Sequence, residues 1–280
     1  MPDAPIYTPL DRKLRVSTRI AFGVGQVAEG LKNFSFSFFA LFYYNTVLGL
    51  SGTMTGIALA IALLVDAVTD PLMGSISDNF ASRWGRRHPF MVGAAIPLAL
   101  SFYGLFAPPA DLSADELFYW LTGFTILTRL MMTIYHVPHI SLGAELTADY
   151  EERTHLVAIR QIFGYFGIFA IAGIGLGFFF SDERGGRLNA EAYGPFALVM
   201  SGVMVVTILL SAWFTRDQIP YLPRHRATNR SAGNPIVRTF REMAEAFRNR
   251  SFRALFSGVL LIYILVGTEG ALTLFMYQFF

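Results

Sequence analysis

Residues 53–78 read TMTGIALAIALLVDAVTDPLMGSISD, and ahead of Asp78 the only charges in that run are Asp66 and Asp70. Coiled as an α-helix the run reaches roughly 39 Å, more than the roughly 30 Å of hydrocarbon in a bilayer. Its apolar residues lack the two-residue alternation of a lipid-facing barrel strand, and in lipid every backbone N–H and C=O must find its partner inside the segment. The stretch is predicted to be a membrane-spanning helix with two carboxylates set inside it.

Similar stretches recur on both sides, near 20–47, 89–108, 116–142, 156–180, 192–214 and 254–279. With 53–78 they make seven predicted spans in an all-α integral membrane protein. Composition agrees, since 54% of residues are hydrophobic, 15% are charged and mean hydropathy is +0.46, which excludes an ordinary water-soluble globule. Cysteine is absent, so disulfides, zinc–thiolate sites, a cysteine nucleophile and palmitoylation are excluded together. Arg12, Lys13, Arg15 and Arg19 have no apolar core ahead of them, so no cleavable signal peptide is expected.

Charge sets the orientation. The basic residues of the N-terminal arm, Arg83, Arg86, Arg87, Arg153 and the arginines from Arg216 to Arg253 fall on one side. Arg184 and Arg187 fall on the other, beside Asp111, Asp115, Glu116, Asp182, Glu183 and Glu191. The positive-inside rule then predicts a cytoplasmic N-terminus in a cell (plasma or inner) membrane. The chain divides into a cytoplasmic arm (1–19), a six-helix bundle (20–214), a cytoplasmic linker (215–253) and the first helix of a second bundle (254–280). In the linker, Ile236, Val237, Phe240, Met243, Ala244 and Phe247 recur at helical steps among arginines. That pattern fits either an amphipathic helix on the anionic inner leaflet or a solvated linker helix. The layout reads as part of a protein of about twelve spans, built as two six-helix halves.

Seven formally charged residues lie inside the predicted spans, away from the end residues Asp78 and Glu116: Glu29, Lys32, Asp66, Asp70, Arg129, Arg160 and Glu269. Each costs roughly 2.5–3.5 kcal/mol to insert at mid-membrane, so such groups face the bundle interior and mark function. Four acids against three bases leave one negative charge that a monovalent cation would balance. Asp66 and Asp70, at i and i+4, share a helix face and call for a cation or shared proton between them. Pro71 frees the carbonyl of Ala67 beside them, and such oxygens suit hard cations. The competing reading has both acids paired with Arg129 and Lys32 to hold helices together. His136 and His139 could form a metal pair, but without cysteine or an H-E-x-x-H pattern a substrate-facing lining or a satisfied interior histidine is preferred, and no metal site is expected. Phe34, Phe36, Phe38, Phe39, Phe42, Tyr43 and Tyr44 are read as lipid contact and packing. Gly164, Gly167, Gly173, Gly175 and Gly177 are read as allowing close helix approach. No P-loop, G-x-S-x-G or nucleic-acid motif is present.

Two sets of residues carry a family resemblance. Asp66-Ala67-Val68-Thr69-Asp70-Pro71-Leu72-Met73-Gly74, then Asp78 and Ser82-Arg83-Trp84-Gly85-Arg86-Arg87-His88-Pro89, form one. Leu142-Gly143-Ala144-Glu145-Leu146-Thr147, Asp149-Tyr150 and Glu152-Arg153-Thr154 form the other. Both resemble the glycoside–pentoside–hexuronide:cation symporters, the melibiose-carrier-like branch of the major facilitator superfamily. The resemblance implies a rocking bundle with a midplane site, in which Asp66, Asp70 and Thr133 bind the coupling cation and Arg160 lines the sugar cavity. It also implies that Asp78, Arg83, Arg86 and Arg87 bridge helix ends at the cytoplasmic gate. The positions of two family sugar-binding aspartates are Gly30 and His136 here, so Glu29 and Asn33 are offered as substitutes.

The expected function is cation-coupled symport, with Na⁺ or H⁺, of a sugar or glycoside. The solute candidates are Glu29, Asn33, His136, Arg129, Arg160 and Glu269, with no catalytic residue and no cofactor beyond the coupling ion. A lysolipid with its phosphate on Arg160 and Arg129 is the alternative solute. An intramembrane hydrolase would have only His136, His139, Ser141 and Glu145 to work with, and a half-size dimer would not need a seventh span. The expected partners are the solute and the bilayer, not nucleic acid, and the full-length protein is expected to be a monomer.

Overall fold

The structure is a computed structural model and describes residues 14–222, 241 and 244–279. Every long element among them is helical. Six helices are long and apolar enough to cross a membrane: Gly52–Asn79, His88–Phe106, Ala114–Leu146, Tyr150–Phe179, Ala190–Tyr221 and Arg250–Tyr277. A further rod precedes them. It begins as α1 (Val16–Val24) and α2 (Gln26–Phe34) and runs on through wider π-type turns at Ser35–Ala40 and Tyr43–Val47.

α1 and α2 meet at Gly25, where three neighbours converge. Tyr135 Oη donates to Gly25 O at 2.7 Å, and a Cβ on residue 25 would meet that hydroxyl, His139 Nε2 and Ser211 Oγ. Gly49, at φ 77°, ends the rod in a conformation that favours glycine. Ser51 then caps α3 (Gly52–Asn79) by accepting from Met54 N. A loop turning at Gly85, φ 79°, leads to α4 (His88–Phe106). A capping box of Ser113 and Glu116 opens α5 (Ala114–Leu146), and Asp149 caps α6 (Tyr150–Ala170), which continues in π-type turns over Ile171–Phe179. α7 (Tyr193–Thr215) and α8 (Arg250–Phe279) follow.

α3 packs on α5, α4 on α5 and α7, and α2 on α6, while α1 fits between α6 and α7. α8 stands at the edge, touching the rod where Gly270 faces Ser37 and the Phe275 ring lies 5.6 Å from that of Phe42. The α2–α6 contact depends on missing side chains: a Cβ on Gly30 would run into Gly164 O, and one on Gly167 would lie 2.5 Å from Val27 O.

Of the lipid contact and packing expected for the aromatic run of the rod, packing dominates. Phe36, Phe39, Phe42, Tyr43 and Tyr44 are buried, because α7 and the end of α6 bring rings to meet them. Tyr43 stacks on Tyr193 at 4.0 Å, Phe39 sits 5.2 Å from Phe180, and Tyr44 Oη donates to Leu105 O at 2.6 Å. The linker helix expected over residues 236–247 falls largely outside the described residues.

Candidate functional site

The charged residues of the spans gather where α2, α3, α5 and α6 face one another. On α3, Asp66 and Asp70 share a face, and each meets a different partner from α5. Asp66 Oδ2 accepts from Arg129 at 2.5 Å, with side chains 20% and 14% exposed. Asp70 Oδ1 accepts from Thr133 Oγ1 at 2.6 Å. This places the two carboxylates on separate donors, with Arg129 taking the pairing role that the competing reading allowed. The guanidinium of Arg129 also lies 5.0 Å over the Phe36 ring, which ties α5 to the rod. Asp66 Oδ1 and Thr69 Oγ1, on the same stretch of α3, are buried without a hydrogen-bond partner among the described residues.

On the rod, Glu29 accepts from Gln26 Nε2 at 2.9 Å and from Asn33 Nδ2, its neighbours at i−3 and i+4. Gln26 Oε1 in turn meets His136 Nε2 at 3.2 Å. Glu29, Asn33 and His136, named from sequence, are thereby joined through Gln26, which was not. Nothing in the sequence singled it out. His139, one turn on, bonds Phe22 O at 2.9 Å through Nε2 and stacks on Phe22 and Tyr135, so it serves packing.

Lys32, one turn on from Glu29, is 9% exposed and forms no ion pair with a described residue. Arg160 on α6 lies one turn before Gly164, where a Cβ would meet Gln26 Cγ at 3.2 Å. Glu269 lies apart: it is exposed on α8, and α8 packs on the Ser35–Ala40 stretch rather than on the charged helices.

A second cluster lies at the arginine-rich end. The positive-φ turn at Gly85 folds the loop back on α3, so that Arg87 donates to Ser77 Oγ at 2.6 Å, Asp78 Oδ1 at 2.5 Å and Glu145 Oε1 at 2.6 Å. Arg86 reaches the same Glu145 oxygen at 2.8 Å. Asp78, Arg86 and Arg87 come together as the sequence pattern suggested. Arg83 does not join them; it is exposed, 5.9 Å from the Trp84 ring. Glu145 is the centre that sequence reasoning did not assign to this cluster, although it sits in the quoted Leu142–Thr147 motif. The acids of the neighbouring motif have a parallel role: Asp149 caps α6 through Glu152 N, and Glu152 accepts from Leu14 N at 3.0 Å and Arg19 at 2.7 Å, clamping α1 to α6.

A cavity of about 1060 Å³ opens elsewhere, between α4 and α7, over Val92, Val206, Leu209 and Leu210. Of the candidate residues only Arg83 borders it, and its walls suit acyl chains rather than a polar solute.

Comparison with known proteins gives the family. An uncharacterized symporter of Synechocystis is 34% identical over 161 residues, covering 55% of this chain and 29% of that protein. A protein of Escherichia coli named as a candidate glycoside/cation symporter is 30% identical over 207 residues, covering 74% of this chain and 44% of its own length. An isoprimeverose transporter of Lactiplantibacillus pentosus is 26% identical over 203 residues, covering 72% and 42%. The chain thus spans less than half the length of these relatives. Residues 21–280 match the family described as MFS/sugar transport protein. With long helices that gather charged side chains between α2, α3, α5 and α6, and a match over nearly its whole length, the chain belongs to the MFS/sugar transport protein family.

Proposed function

We propose that this chain forms part of a secondary active transporter that couples Na⁺ or H⁺ to the symport of a sugar or glycoside by alternating access. One observation carries the reading: α3 presents two carboxylates on one face at membrane depth, one neutralised by Arg129 and the other held, among the described residues, only by a threonine hydroxyl. A carboxylate with an uncharged partner is a standing site for a small cation, and hydroxyl and carboxylate oxygens are the ligands a hard cation takes. Asp70 and Thr133 hold the ion in this account, with Asp66 as the outer charge. The Gln26–Glu29–Asn33–His136 network supplies donors and acceptors for solute hydroxyls, and Arg160 completes that wall. Relatives named for glycoside/cation symport and isoprimeverose transport support the same class of solute.

The arginine-rich end faces the cytoplasm in this reading, where the Arg87–Asp78–Glu145 cluster opens and closes as the bundle rocks. The protein carries out no covalent chemistry and needs no cofactor beyond its coupling ion. The test is uptake of a radiolabelled glycoside panel into proteoliposomes, with an imposed sodium gradient, an imposed proton gradient or neither. Accumulation above equilibrium under one gradient is expected and names the ion. Equal uptake with and without gradients, or no uptake at all, would refute symport.

A further inference from the structure

We infer that the solute carries an anionic group, a carboxylate or a phosphate, and that Lys32 and Arg160 receive it beside His136. The inference rests on the symport reading for the place of the solute and adds its charge.

Lys32 is 9% exposed, yet it forms no ion pair with a described residue. A buried ammonium held in no ion pair is costly, and in a membrane segment such a group faces a pathway. Each acid of this cluster has another donor. Glu29 holds Gln26 and Asn33, Asp66 holds Arg129, and Asp70 holds Thr133. Arg129 adds a like charge. On α6, Arg160 Nε is buried without a partner, and Arg160 forms no ion pair with a described residue either. Arg160 lies one turn before Gly164, where a Cβ would meet Gln26 Cγ at 3.2 Å, and Lys32 lies one turn on from Glu29; Gln26 and Glu29 bond each other, and Gln26 bonds His136. An oxyanion beside His136 therefore meets an ammonium and a guanidinium at once, while a neutral solute leaves both unpaired. Charge-assisted hydrogen bonds of that kind are the strong ones. The anion could belong to a uronic acid or to the phosphate of a lysolipid.

The experiment uses the full-length protein in proteoliposomes. Gradient-driven uptake is compared for phenyl β-D-glucuronide, phenyl β-D-glucoside and a lysophosphatidylglycerol, with calorimetric binding of each in detergent alongside. The first two differ only at the sugar C6, a carboxylate against a hydroxymethyl. A preference of at least tenfold for the glucuronide is expected, about 1.4 kcal/mol. It should fall to near parity in Lys32→Gln and persist in Lys32→Arg, which keeps the charge. Lys32→Gln removes a buried unpaired charge, so its thermal stability should equal or exceed that of the parent. Preferential uptake of the lysolipid, lost in Lys32→Gln, supports the anionic group, places it on phosphate and overturns the sugar assignment. Equal or better uptake of the glucoside, with the ratio unmoved by Lys32→Gln, overturns this inference and leaves sugar symport standing. No uptake and no binding of any of the three overturns both.

Discussion

The two acids of α3 should separate when each is neutralised. Asp66→Asn leaves Arg129, 14% exposed, facing an amide in place of a carboxylate. Removing one partner of a buried ion pair costs about 3–5 kcal/mol. The amide oxygen still accepts one hydrogen bond and both side chains keep some access to solvent, so the loss here should be about 2 kcal/mol. Asp70 is exposed, and among the described residues its one hydrogen-bond partner is the Thr133 hydroxyl, which can donate equally to an asparagine oxygen. Asp70→Asn should therefore cost under about 0.5 kcal/mol, as surface substitutions do. Thermal unfolding in detergent reads the difference, a midpoint lowered by about 4–8 °C for Asp66→Asn if the scaling of soluble domains holds, and nearly unmoved for Asp70→Asn. Adding Arg129→Met to Asp66→Asn should recover most of the loss by removing the stranded guanidinium. Both single variants should lose gradient-driven accumulation, Asp70→Asn without any structural excuse. The reasoning fails if the two variants melt together, or if Asp70→Asn still concentrates solute under a gradient.

The same logic applies at two other places. Arg87→Ala strips Ser77, Asp78 and Glu145 of a donor that is itself 4% exposed, and should lower stability by about 3 kcal/mol or more, whereas Arg83→Ala should change it by less than about 0.5 kcal/mol. Because the chain has no cysteine, thiol labelling of one cysteine introduced beside Glu145 would report whether the cluster has opened. Gly30→Ala forces a methyl into Gly164 O and should separate α2 from α6 at a cost of about 1–3 kcal/mol, while Gly56→Ala, with open space around it, should be neutral or better. Gly30→Asp should behave as the worse of the Gly30 variants and should not create a sugar-binding carboxylate, since position 30 faces α6 at backbone contact.

The spans were legible because apolar length is a local property. Their ends were less so: α6 starts at Tyr150 and not near 156, since a capping aspartate and a first turn with Glu151 and Glu152 look polar to a hydropathy reading although they are already helical. α5 likewise extends to Leu146, beyond the expected 142. The site residues were legible one at a time, because a charge in an apolar run is conspicuous alone. Their pairing was not, because it depends on how helices distant in sequence are rotated against one another. Asp66 reaches Arg129 across 63 positions, and Glu145 gathers two arginines from 58 and 59 positions away. Gln26 was passed over because an uncharged amide beside Glu29 carries no signal until the ring of His136 is brought to it. Gly30 reads from sequence as a missing carboxylate; its nearness to Gly164 makes it a packing glycine.

The arrangement also changes the charge balance of the interior. With Glu269 exposed on α8, the cluster keeps Glu29, Asp66 and Asp70 against Lys32, Arg129 and Arg160, so it is formally neutral before anything binds. A monovalent cation at Asp70 then leaves one positive charge at membrane depth, which is unfavourable in a poorly solvated interior. An anionic solute at Lys32 and Arg160 removes it. Two opposite unit charges on the order of 10 Å apart attract by about 1.7 kcal/mol at an effective dielectric of about 20, nearly a twentyfold increase in the affinity of each for the other's complex. Coupling in this account is an electrostatic consequence of where six side chains sit, and neither ligand occupies its site well alone. One cation moving with one monoanion carries no net charge, so transport should be electroneutral. Initial rates of glucuronide uptake, measured with the membrane potential clamped by potassium and valinomycin, should not change between 0 mV and an inside-negative potential. A rate that rises steeply with inside-negative potential would mean that at least one positive charge crosses uncompensated, and the pairing of Lys32 and Arg160 with a solute anion would have to be abandoned.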